Sequence, residues 1–191
     1  MADQVDCTLT TDASKSTSTV ALKIIGLKQD NIKYVDRSAV RIIIKNNKDE
    51  IIIMRVEEGN YYKLPGGGIE PGEDHNLAAT REAKEETGCA VAVEEGCIAT
   101  TEEWRNDLHQ ISHCYCATLV HDTGKAQLTS LEEQEGLKHE WMPVEKALDK
   151  MSLCKPTSEL GRFIRERDLF LLSKYVAMRE PDRKMGDTCH S

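Results

Sequence analysis

The chain has 191 residues, 33 acidic against 25 basic side chains, and a formal net charge of −8. That length suits one well-buried domain with about 35 residues left for extensions, and an acidic surface argues against nucleic-acid polymers and anionic membranes, which require clustered Lys and Arg. Residues 70–95 alone hold eight acids against Arg81 and Lys84, a local charge of −6 (2 − 8), so most of the imbalance sits in one stretch.

No apolar run approaches the roughly 18 residues of a membrane span, and the N-terminus lacks a basic region followed by an apolar core, so neither a span nor a signal peptide is expected. Seven cysteines are scattered without a C-x-x-C pair, which fits reduced thiols and a cytoplasmic compartment, with the nucleus as the alternative. We divide the chain into an N-terminal extension (1–36), a main domain (37–180) and a polar tail (181–191). The extension is rich in Ser and Thr over residues 8–19. Val20 to Gly26 then has the pattern of a short strand, with an edge strand and a homodimer contact as its two expected uses.

Ala39 to Lys45 is β-branched and apolar, Asn46-Asn47-Lys48-Asp49 punctuates, and Glu50 to Val56 repeats the pattern; this predicts a β-hairpin. Tyr61 to Leu64 is a short strand that delivers the chain into Pro65-Gly66-Gly67-Gly68. Three glycines followed by Pro71-Gly72 exclude regular structure and require a tight bend or a close approach. From Asp74 to Thr87 nothing interrupts a helix, and Gly88 is its C-terminal stop. At about 100° per residue, Glu82, Glu85 and Glu86 share an arc of about 100°. Like charges at these spacings repel unless a cation sits among them, and clustered hard oxygens suit Mg²⁺ or Mn²⁺. Arg81 borders the arc and is placed to pair with Glu85.

Gly67, five residues, Glu73, seven residues, Arg81-Glu82-Ala83, one residue, Glu85-Glu86, one residue and Gly88-Cys89 resemble the Nudix box. Every polar and glycine position of the motif is met. Ala83 and Cys89 depart only at hydrophobic slots, and the resemblance covers about residues 37–150. It implies an α/β fold, the Nudix-type α/β/α sandwich with a central mixed β-sheet. It also implies Mg²⁺ or Mn²⁺ held by Glu82, Glu85, Glu86 and the carbonyl of Gly66, with Arg81 orienting the glutamates and Glu73 bracing the turn. Glu82 or a loop glutamate would deprotonate water. In this family the strand before the turn flanks the substrate cleft, so Tyr61 or Tyr62 is a candidate to stack on a base.

Beyond Gly88, Ala90 to Val93 and Cys97 to Thr101 read as strands, and Glu102 to Asp107 as a polar turn before the long strand Gln110 to Val120. Trp104 and Arg105 near that turn are candidates for a nucleobase or phosphate contact. His109, His113, Cys114 and Cys116 alternate between the two faces of one strand and do not make a zinc site. Residues 121–136 read as a polar loop. Its Glu132, Glu133 and Glu135 are the candidates for the further glutamate that many Nudix hydrolases supply from outside the box. A strand from Leu137 to Met142 follows, then an amphipathic helix from Pro143 to Met151 and a longer one from Thr157 to Arg179, read as core packing with an oligomer contact as a second use.

The reaction implied is metal-dependent hydrolysis of a pyrophosphate bond in a small phosphorylated substrate, a nucleoside diphosphate linked to another moiety. A non-catalytic nucleotide-binding or regulatory domain is the alternative. No dense Lys/Arg cluster is visible in the sequence, which disfavours a diphosphoinositol polyphosphate.

Overall fold

The computed structural model describes residues 20–179. The Ser/Thr-rich start, the tail 181–191, Cys7 and Cys189 lie outside the described residues. The elements are β1 (Ala21–Ile25), β2 (Val35–Lys45), β3 (Glu50–Val56), β4 (Tyr61–Lys63), α1 (His75–Thr87), β5 (Cys89–Val93), β6 (Ala99–Arg105), β7 (Leu108–Asp122), α2 (Ser130–Gln134), β8 (Leu137–Pro143), α3 (Val144–Leu153) and α4 (Glu159–Arg179). The strands form one mixed sheet in the order β1-β6-β7-β2-β3-β4, with β5 beside β7 and β8 beside β3. β2 runs parallel to β7 along its whole length, and β1 adds an edge strand parallel to β6.

Helices cover both faces, which is why the central strands are continuous apolar runs and do not alternate. On one side Val40, Ile42, Ile44, Ile52 and Met54 pack with Ala78, Ala79 and Ala83 of α1. On the other, Ile43, Ile51 and Ile53 pack with Ala147 and Met151 of α3 and Leu171, Leu172 and Tyr175 of α4. The alanines let α1 sit close to the sheet, and this fixes the depth at which its glutamates project. The result is the α/β/α sandwich expected from the sequence.

Three local readings change. β2 and β3 meet as a hairpin at Lys45 and Ile51 alone. Past that point the glycine turn takes over the edge of β2: Val40 N–H donates to Gly67 O at 3.0 Å and Ile42 N–H to Pro65 O at 2.9 Å. Glu102 to Arg105 belong to β6 and not to a turn; the reversal falls at Asn106-Asp107, with Asn106 at φ 53°. These polar residues hold a strand because Glu103 is buried and meets Gln110 and Arg167, a tertiary override of propensity. The loop 121–136 contains α2, capped reciprocally: Glu132 N–H donates to Thr129 Oγ1 at 3.3 Å, and Thr129 N–H to Glu132 Oε2 at 2.8 Å. The Thr-x-x-Glu spacing is a sequence signal for that cap. Among the described residues, no helix is long and apolar enough to cross a membrane.

Candidate active site

α1 is started by Asp74, whose side chain accepts from Leu77 N–H at 2.8 Å, and stopped by Gly88 at φ 74°, whose N–H donates to Lys84 O. Between these caps Arg81 reaches back over the glycine turn. Its Nε and Nη2 donate to the two oxygens of Glu73 at 2.8 and 2.9 Å, Nη2 to Gly68 O at 2.9 Å, and Nη1 to Glu82 at 2.9 Å and Glu85 at 3.1 Å. The paired guanidinium pulls the Glu73 carboxyl down to about 2 and raises Arg81 itself above its ordinary value. Burial pushes Glu82 the other way, above the ordinary carboxylate value, against the pull of Arg81.

Glu86 is the most enclosed of the three helix glutamates, 4% exposed. It accepts from Gly66 N–H at 2.8 Å and from Lys63 Nζ at 2.6 Å. Gly66 has φ +129°, and a Cβ there would lie 2.3 Å from Val40 O; a Cβ on Gly67 would lie 2.3 Å from Glu82 Oε1. Only glycine permits the turn to touch β2 on one side and the glutamates on the other. The Gly66 carbonyl accepts from Arg41 Nη1. Arg41 is buried on the α4 face of β2, its Nε has no partner, and burial holds its pKa down to about 10.

These groups share a cleft of about 370 Å³. Gly66, Gly67, Glu82 and Glu86 line it with Arg37, Arg41, Tyr61, Lys63, Glu103, Arg105, Gln110, Thr129, Leu131, Glu132, Glu135, Leu160, Ile164 and Arg167. Of the residues singled out in the sequence, Glu82, Glu86, Gly66, Tyr61, Arg105, Glu132 and Glu135 are brought together here. Glu85 borders the cleft from outside, tied to Arg81, and Glu133 does not line it. Tyr61 is buried, its hydroxyl pushed up to about 12 by burial. Tyr62 alternates to the opposite face of the sheet, under Lys150 at 5.2 Å. Trp104 also faces away, stacked on His109 with ring centroids 3.8 Å apart.

The expectation of no dense cationic cluster is corrected at this cleft. Arg37, Arg41, Lys63, Arg105 and Arg167 come from β2, β4, β6 and α4, so their separation along the chain conceals them. Five acids (Glu82, Glu86, Glu103, Glu132, Glu135) balance the five bases, and the lining is formally neutral. Glu103, Gln110 and Arg167 were not singled out from the sequence either. Arg167 pairs with Asp168 at 2.7 Å and Glu103 at 3.5 Å, and Asp168 accepts from Leu64 N–H at 2.9 Å just before the turn. The one signal for them was a charged pair, Arg167-Asp168, inside an apolar helical face.

Among the described residues, no three carboxylate, imidazole or thiol groups converge closely enough to hold a metal ion as they stand. Glu86 is engaged by Lys63, and Glu82 and Glu85 by Arg81. The donor set nevertheless fits a hard divalent cation: a backbone carbonyl and two carboxylates face one cleft, with Gly67 leaving room against Glu82.

A mixed sheet between helices, with a glycine turn set against a glutamate-bearing helix, defines a class of fold that comparison with known proteins places by family. The NUDIX domain profile matches residues 35–159, and the chain belongs to that family. It is similar to an RNA pyrophosphohydrolase of Roseobacter denitrificans, 36% identical over 70 residues, 36% of this chain and 43% of that protein. It is also similar to a putative 8-oxo-dGTP diphosphatase of Bacillus subtilis, 36% identical over 52 residues, 27% of this chain and 35% of that protein. The chain thus spans less than half the length of these relatives. Its fold resembles the MutT protein from Methanosarcina mazei, with a TM-score of 0.56 and 19% identity over 78% of this chain and 99% of that one.

Proposed function

We propose that the chain is a divalent-metal-dependent pyrophosphohydrolase acting on a nucleoside diphosphate linked to another moiety. The observation that carries the reading is the cleft itself, where the Gly66 carbonyl and the carboxylates of Glu82 and Glu86 face basic side chains from β2, β4 and β6. Mg²⁺ or Mn²⁺ held by Glu82, Glu86 and the Gly66 carbonyl would neutralise diphosphate charge and acidify water. Arg81, held by Glu73, keeps Glu82 and Glu85 oriented. Arg37 and Arg105 bind phosphate oxygens. Glu132 or Glu135 across the cleft, or Glu82 where its carboxylate is not held by the cation, takes the proton from the attacking water.

Leu131, Leu160 and Ile164 give the cleft an apolar wall for a base or other flat group. The balance of five bases against five acids supports a substrate of modest charge over a diphosphoinositol polyphosphate, which needs a strongly positive lining. Relatives named as an RNA pyrophosphohydrolase and a putative 8-oxo-dGTP diphosphatase support a nucleotide.

The test is product analysis across nucleoside triphosphates, nucleotide sugars, dinucleoside polyphosphates, 5′-triphosphorylated RNA and inositol pyrophosphates with Mg²⁺. Turnover of a nucleoside diphosphate derivative is expected. No turnover of any of them, with ligand binding unchanged in Glu86→Gln, would establish a binding domain instead.

A further inference from the structure

Two oxygens assigned above to a divalent cation already carry cations of the chain's own. Lys63 Nζ lies 2.6 Å from Glu86 Oε1, and Arg41 Nη1 donates to the Gly66 carbonyl. Glu86 is too enclosed to rely on water for its charge, and a buried carboxylate without a partner is strongly disfavoured. Arg41 is fixed: it is buried and also donates to Val40 O at 3.1 Å. Lys63 is different. It points from β4 into the cleft with its side chain 16% exposed, and a lysine carries its charge on a flexible stem.

The charges close around this pair. Glu82 and Glu86 contribute −2 and Lys63 and Arg41 +2, so the inner cleft is neutral before any cation enters. A divalent cation competes with Lys63 for Glu86, and the cleft becomes positive by two charges when it wins. An anionic diphosphate is the group that such a cleft then favours.

We propose that Lys63 is the resident counter-cation of Glu86, and that it moves to a phosphate oxygen of the substrate when a divalent cation takes the carboxylate. This inference rests on the metal-dependent reading above. Its consequence is a linkage: the free protein binds metal weakly, and metal and diphosphate strengthen each other's binding. Lys63 would thus serve as a phosphate-binding residue whose availability depends on the metal.

The experiment is a Mn²⁺ titration without substrate, followed by the electron paramagnetic resonance of free Mn²⁺, on the native chain and the Lys63→Met, Lys63→Arg and Glu86→Gln variants. Lys63→Met is expected to bind Mn²⁺ about tenfold more tightly than the native chain, and Lys63→Arg to stay near native. Thermal melts give a second readout. Lys63→Met melts below the native chain in EDTA and gains more from Mn²⁺, because the cation replaces the lost partner. At saturating Mn²⁺, trace labelled methylenediphosphonate should bind about tenfold more weakly to Lys63→Met than to the native chain, the equivalent of roughly 1.4 kcal/mol.

Native-like or weaker Mn²⁺ binding by Lys63→Met, with binding lost in Glu86→Gln, overturns the role of Lys63 alone. Equal phosphonate affinity overturns the transfer to phosphate. Equal Mn²⁺ binding by the native chain and Glu86→Gln overturns the metal reading and this inference with it.

Discussion

Arg81 satisfies five acceptor atoms on four residues, Glu73, Glu82, Glu85 and Gly68, and through them joins the glycine turn to the helix face. The energetic signature of that joint is at Glu73. Its folded-state value of about 2 lies below the ordinary glutamate value of about 4.3, because Arg81 holds the ionised form. A carboxylate depressed in this way contributes stability that is present above its unfolded value and is lost as pH falls through the folded one. Acid unfolding of the native chain should therefore steepen between about pH 4.3 and 2. In Glu73→Gln that component of the slope should be absent when denaturation midpoints are measured across the same range. Unchanged acid sensitivity would remove Glu73 from this role. Glu73 was named only through the resemblance to the Nudix box, whereas Arg81 and the three helix glutamates were legible in the sequence because helical spacing sets them on adjoining arcs. Lys63 and Arg41 were not, because each is one charged residue in a strand and its partner is defined only by the fold.

At the scale of elements, the site depends on how the turn 65–68 meets β2 and α1. Gly66 combines φ +129° with a backbone contact that leaves no room for a Cβ. Gly66→Ala should therefore either push the turn off β2, losing the Val40 and Ile42 hydrogen bonds, or fail to fold. We expect a loss of at least about 2 kcal/mol in chemical denaturation, from a left-handed backbone and a steric clash together. A near-native midpoint would contradict the geometry. The glycine run announced a bend in the sequence. What it could not announce was that the bend would occupy the edge of β2 and reduce the β2–β3 hairpin to a single pairing. The same limit applies to β6. Glu102 to Arg105 have the composition of a turn, and they form a strand because Glu103 meets Arg167 and Gln110, partners 64 and 7 residues away.

At the scale of the whole molecule, α4 is more than a cover for the sheet. Its Arg167 and Asp168 are buried and tie β6 to the residue that precedes the turn, through Glu103 and Leu64 N–H. Asp168 and Glu103 hold Arg167 above its ordinary value against the opposing effect of burial. Removing one member of such a group leaves the others charged and enclosed. Arg167→Met should cost about 3–5 kcal/mol in urea denaturation. A loss below about 1 kcal/mol would show that Asp168 and Glu103 do not need this partner. The box was readable as a motif, and the sandwich from the resemblance the box carries, with which the order of strands and helices agreed. The cationic lining of the cleft was not, because strand order places β2, β4, β6 and α4 around one space, and sequence distance says nothing of that order. Net charge misled for the same reason: −8 overall coexists with a neutral cleft.

The central claim is that Glu82, Glu86 and the Gly66 carbonyl hold the divalent cation that drives diphosphate hydrolysis. It is tested most directly by the turnover of a nucleoside diphosphate derivative, comparing the native chain with Glu86→Gln in Mg²⁺ and in EDTA. Metal-dependent cleavage by the native chain, and a rate lower by about a hundredfold or more in Glu86→Gln, is the predicted result. Equal rates in the two proteins, or cleavage that persists in EDTA, would contradict it.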